Sequence, residues 1–155
     1  MVSPETLRRF PFFAFLNPSQ LANIAMNTEE VEYENGTTLF EQGGSAQTLY
    51  FLVKGCVDLY FTIQEAYNSD ERQEALVCQI NPGEIFGISS LIPPHELTST
   101  ARSNGDSLVM EIDSTQLAEL FKQDSQLEML LLHRIAQAAM QRLHSTRIQL
   151  AAAWT

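Results

Sequence analysis

Between Glu29 and Ile112 the chain is cut into short apolar stretches by turn residues. Val31 and Tyr33 alternate with acids and stop at Glu34-Asn35-Gly36, and Thr37 to Glu41 stops at Gly43-Gly44. Thr48 to Val53 is rich in β-branched and aromatic residues and stops at Lys54-Gly55. Cys56 to Ile63 follows, with Val57, Leu59 and Phe61 on one face by their period of two. Asn68-Ser69-Asp70 reads as a polar loop, and Ala75 to Ile80 as a strand closed by Asn81-Pro82-Gly83. After a short extended piece, Glu84 to Gly87, come Leu97 to Ser103 and Leu108 to Ile112, joined by a hairpin turn at Asn104-Gly105-Asp106. Many short strands between turn signals predict a β-roll, barrel or sandwich.

On either side the period is helical. Ser3 is placed to cap a helix with Pro4 at its first position, and Pro11 should end it soon after Leu7 and Phe10. A second short helix begins near Pro18, with Leu21, Ile24 and Ala25 at helical spacing. Asp113 or Ser114 can cap a helix carrying Leu117, Leu120 and Phe121. A long helix starts at about Asp124 and reaches at least Leu150. Along it Met129, Leu132, Ala136 and Ala139 recur in steps of three and four, continued by Leu143, Thr146, Leu150 and Ala153. That is a coiled-coil seam and predicts a homodimer; the competing reading is a helix packed wholly on its own domain. The chain is expected to be a single domain, with N-terminal helices over 1–28, a β-roll over 29–112 and C-terminal helices over 113–155.

Charge narrows the partners. The formal net charge is −10, concentrated before residue 123, which argues against direct nucleic-acid binding by this chain. No secretory segment or apolar run of membrane-spanning length occurs, so a cytoplasmic protein away from membranes is expected. Cys56 and Cys78 lie in apolar strand-like runs and read as two buried thiols, with a disulfide as the alternative. His95, His133 and His144 are scattered, so no metal site and no catalytic set of residues can be assembled from spacing.

The turn spacing carries a resemblance. Tyr33-x-x-Gly36-x-x-Leu39-Phe40-x-x-Gly43 is followed by Leu49-Tyr50-Phe51-Leu52-Val53-x-Gly55-x-Val57 and then by Ile80-x-x-Gly83-x-Ile85-Phe86-Gly87. This resembles the cyclic-nucleotide-binding domain of the catabolite-activator and anaerobic-regulator families and of protein kinase A regulatory subunits, from about Phe10 to about Trp154. The resemblance implies a mainly β fold with flanking helices: a double-stranded β-helix, or jelly-roll-like β-roll. It also implies a phosphate cassette, a short helix after Phe86-Gly87 whose backbone N–H groups face the ligand. Gly87-Ile88-Ser89-Ser90-Leu91 occupies that place.

Two charged side chains normally complete the cassette. Ile88 stands where the family has the glutamate that takes the ribose hydroxyl. Leu97, or Glu96 in an alignment shifted by one, stands where it has the arginine that pairs with phosphate. Arg102 is either a substitute or a surface strand residue. Ser89, Ser90, Thr98 and Thr100 either line a polar pocket or only satisfy local backbone. Thr146 falls in the place of a threonine that touches adenine in the catabolite activators. The chain is therefore expected to be a sensory or regulatory module of the transcription-regulator type, not an enzyme and without a cofactor, in which cyclic-nucleotide binding is weak or lost. The alternatives are a different small-molecule effector in the same pocket, or a cupin-like enzyme. In the relatives a DNA-binding winged helix follows the long helix. With the chain ending at Thr155, either such a domain lies outside these residues or the output passes through the dimer's geometry or an unidentified protein partner.

Overall fold

The structure is a computed structural model and describes residues 1–64 and 72–155. Asn68-Ser69-Asp70, read as a polar loop, lie outside the described residues. Helix α1 (Pro4–Arg8) is capped by Ser3, whose hydroxyl accepts from Thr6 N, and a single 3-10 turn follows at Pro11–Phe13. Helix α2 (Pro18–Met26) opens with a reciprocal cap between Asn17 and Gln20.

Eight strands follow among the described residues: β1 (Thr28–Tyr33), β2 (Thr38–Phe40), β3 (Thr48–Lys54), β4 (Val57–Gln64), β5 (Arg72–Ile80), β6 (Ile85–Phe86), β7 (Thr100–Ser103) and β8 (Ser107–Asp113). They pair antiparallel in two four-stranded sheets, ordered β1-β8-β3-β6 and β2-β7-β4-β5. The expected mainly β roll with flanking helices is the observed fold.

The first sheet is covered on both faces, and this explains the unbroken apolar run of β3. Leu49 and Phe51 join Met110, Ile112 and the helical residues Leu7, Phe13 and Leu131 in one core. Tyr50 and Leu52 point the other way, into the space between the sheets, with Val57, Ile80, Phe86 and Ala101. Gly55 turns β3 into β4 at φ +95°, and a Cβ there would lie 2.6 Å from Asp106 O. Only glycine fits that corner.

Two expectations are corrected, and the shared face of β4 is covered only in part. Val57 and Leu59 are buried, but Phe61 is exposed. Pairing of β4 with β7 ends at Tyr60↔Thr100, so the β4–β5 hairpin runs past β7 and Phe61 is left 43% exposed. The strand expected from Leu97 begins at Thr100 instead. Leu97 exchanges backbone hydrogen bonds with Gly43 and Gly44, which bends its segment away from the ladder. Both cysteines are free and half-buried rather than buried, Cys56 in the turn before β4 and Cys78 in β5.

Helix α3 (Ser114–Gln123) is capped by Asp113, which accepts from Thr115 N and Gln116 N. Helix α4 (Ser125–Trp154) is capped by Asp124, whose carboxylate also takes a hydrogen bond from Gln20 Nε2 at 3.1 Å, tying α4 to α2. Its buried residues, Leu127, Leu131 and Ile135, repeat every four positions. From Leu143 onward every residue is exposed, so the last turns project beyond the roll. No helix among the described residues is long and apolar enough to cross a membrane.

Candidate ligand site

The site begins at Gly87, where β6 ends. Gly87 has φ +66°, and a Cβ would lie 2.6 Å from Tyr50 Cδ2 and 2.9 Å from Thr48 O. The glycine therefore lets the corner sit against β3 and launches the 3-10 turn Ile88–Leu91. Phe86, fully buried, stacks on Tyr50 with ring centroids 4.9 Å apart and anchors the corner in the inter-sheet core.

Beside this turn lies a cavity of about 170 Å³. The turn contributes Gly87, Ile88 and Ser89, and the bent segment contributes Leu97, Thr98 and Ser99. Phe40 and Leu59 form its apolar floor, and Ala139 and Arg142 of α4 close it. Glu96 is exposed and bridged to Ser45, so the residue that faces the cavity in this segment is Leu97.

The other candidates lie elsewhere. Ser90 is buried on the opposite side of the turn, and its carbonyl accepts from His95 Nδ1 at 3.1 Å. Thr100 Oγ1 accepts from Gln42 N at 3.0 Å. Arg102 pairs with Glu74 and lies over the Tyr60 ring, 5.0 Å from its centroid. Thr146 is exposed, one turn beyond Arg142, and donates to its carbonyl at 2.9 Å. None of the four lines the cavity.

Arg142 was not singled out from sequence, and it is the cation that lines the cavity. Its Nη2 donates to the carbonyl of Ile85. Burial pulls its pKa below the ordinary arginine value, while Cys78 and Glu84 act the other way. Among the described residues no carboxylate lies within ion-pair distance of it. Burial pushes the neighbouring Cys78 thiol up, so it stays neutral beside the guanidinium. A signal for Arg142 existed in the sequence: it continues the stripe Leu127, Leu131, Ile135 and Ala138 in steps of four, four, three and four, the face that α4 turns to the roll.

The seam positions occupy a different face. Met129, Ala136, Leu143 and Leu150 are exposed, whereas Leu132 is half-buried against the chain's own core and Ala139 borders the small cavity, so the uncovered part of the seam is its C-terminal half together with Met129 and Ala136.

A two-sheet roll whose glycine-launched turn borders a small cavity, closed by a long helix, defines a class of β-roll regulatory domains rather than one protein. Residues 30–124 match the Cyclic nucleotide-binding domain family, and the chain belongs to that family. It is 30% identical over 114 residues to the cyclic AMP receptor protein of Thermus thermophilus, covering 74% of this chain and 46% of that one. It is 25% identical over 113 residues to a CRP-like cAMP-activated global transcriptional regulator of Mycobacterium tuberculosis, covering 73% of this chain and 48% of the other. The chain thus spans about half the length of these curated relatives. A solved structure of a Geobacter metallireducens GS-15 protein assigned as cyclic nucleotide-binding superposes with a TM-score of 0.78 at 35% identity, covering 93% of this chain and 100% of that one.

Proposed function

We propose that this chain is a dimeric regulatory module of the transcription-regulator type in which cyclic-nucleotide binding is weak or lost. One observation carries the reading. The cavity keeps the glycine-launched turn, but Ile88 and Leu97 present apolar walls, and its cation, Arg142, is held by the Ile85 carbonyl. A buried phosphate without its charge-assisted partner loses on the order of 3 kcal/mol or more, over a hundredfold in affinity. The cavity, about 170 Å³, is also below the roughly 300–1,000 Å³ typical of ligand pockets. Thr146, the other residue matched to the nucleotide-binding pattern, is exposed one turn beyond Arg142 and does not line the cavity.

The dimer rests on the exposed seam of α4. A projecting helix that carries Leu143, Leu150 and Trp154, 49%, 58% and 84% exposed, leaves an apolar stripe uncovered. A second copy placed side by side covers that stripe symmetrically.

A different small effector in the same cavity is the second reading, and Arg142 favours it. A compact anion that drew the guanidinium from Ile85 would use the hydroxyls of Ser89, Thr98 and Ser99 as further donors.

Calorimetric titration of cyclic AMP and cyclic GMP tests the leading reading. It predicts dissociation constants above roughly 100 μM for both. A low-micromolar constant for either nucleotide would overturn it.

A further inference from the structure

A second and larger cavity, about 790 Å³, lies across the same 3-10 turn. Successive residues of the turn divide between the two: Ile88 and Ser89 line the small cavity, Ser90 and Leu91 the large one. Its volume falls within the roughly 300–1,000 Å³ of small-molecule sites.

Three observations mark it as more than a packing gap. The Ser90 hydroxyl is buried, with the residue 3% exposed, and has no hydrogen-bond partner among the described residues. Buried polar atoms are nearly always paired, so an orphan in a cavity wall points to an external partner. His95, in the same wall, has φ +58°, a left-handed conformation rarely held by a residue other than glycine. Its Nδ1 donates to Ser90 O at 3.1 Å, which fixes the ring and the tautomer and leaves Nε2 as an acceptor. Finally, Lys122 near the end of α3 and Glu128 in the first turn of α4 bring opposite charges to one cavity. Lys122 bonds Glu119 in an exposed contact, and among the described residues Glu128 has no cation within ion-pair distance.

The chemistry selects a ligand class. A polyanion is disfavoured by Glu128 and by the chain's net charge of −10. A molecule with one charge of each sign matches both Lys122 and Glu128, and Leu91, Phe121 and Leu132 offer an apolar surface for a side group. We propose that this cavity is a second ligand site, for a small zwitterion with an apolar side group, the chemistry of a free hydrophobic amino acid. Its carboxylate meets Lys122 and the Ser90 hydroxyl, and its ammonium meets Glu128 and the His95 Nε2 acceptor. The proposal does not depend on the reading of the smaller cavity.

The test titrates L-leucine and L-phenylalanine into the full chain, followed by thermal shift and by backbone-amide NMR. Saturable binding with a constant of about 1 mM or tighter is expected, with shifts centred on Ser90, His95 and Glu128. Glu128→Gln and the deaminated analogue 4-methylpentanoate should each weaken it about tenfold. Ala118→Phe places a ring in the cavity from an exposed position on α3, so it should abolish binding while leaving the fold and any nucleotide titration unchanged. No saturable response up to about 20 mM, 4-methylpentanoate binding as well as leucine, or wild-type affinity in Ala118→Phe would each overturn the proposal.

Discussion

Single residues fix the corner on which the site is built. Gly36 and Gly87 both have positive φ, but a Cβ at Gly36 meets nothing within 4 Å, whereas at Gly87 it strikes Tyr50 and the Thr48 carbonyl. Gly36→Ala should therefore cost only the left-handed penalty, about 1–2 kcal/mol, and Gly87→Ala at least about 3 kcal/mol. Urea denaturation of the two variants checks this, and equal losses would remove the close-approach argument. Glu111 offers a second test. It sits half-buried on β8 and accepts from Tyr33 OH at 3.0 Å. Burial raises its pKa, and the Tyr33 bond offsets this only in part. A carboxyl with a raised folded pKa contributes its stability in full below its unfolded value, about 4.3, and loses it as pH rises through the folded value. Glu111→Gln keeps an acceptor for Tyr33 and removes the charge. It should melt higher than wild type at pH 7, with the gap closing toward pH 4; a gap independent of pH would refute the assignment. At this scale the sequence made the apolar identities of Ile88 and Leu97 plain, because they stand next to readable turn motifs. It did not reveal Arg142, whose partner Ile85 O lies 57 residues away and is brought there only by the packing of α4.

At the scale of elements, α4 has two faces with different tasks. Leu127, Leu131, Ile135 and Arg142 bind it to the roll, and the stripe through Leu143 and Leu150 is left exposed. Leu143→Asp should leave the fold intact, since the residue is 49% exposed in its own chain, and convert the proposed dimer to a monomer. Light scattering decides; wild type found monomeric at tens of micromolar would count against the seam. The helix was legible because a three-and-four period sustained over many turns reads as helix, while the period alone left open whether its stripe meets a second copy or its own domain. The β4–β5 overhang was not. Val57, Leu59 and Phe61 share a period of two, yet where cover ends depends on where β7 stops pairing, which no local pattern records. The late start of β7 has the same origin, since Leu97 bonds to Gly43 and Gly44, far away in sequence.

For the whole molecule, alternation and turn signals narrowed the fold to a β-roll, barrel or sandwich, and the glycine-spaced motifs that resemble the family selected the roll; the order of strands in the two sheets was not legible. The contents of the cavities were harder to read, since they depend on which side chains are left facing the gap after packing. The central claim is that this family fold keeps the turn of a nucleotide cassette without the charges that make it grip. The most direct test titrates cyclic AMP calorimetrically into wild type and into Ile88→Glu/Leu97→Arg, which supplies the missing carboxylate and guanidinium at the cavity wall. The account predicts a constant above roughly 100 μM for wild type and a gain of at least about tenfold in the double variant. Low-micromolar binding by wild type, or no gain in a folded double variant, would contradict it.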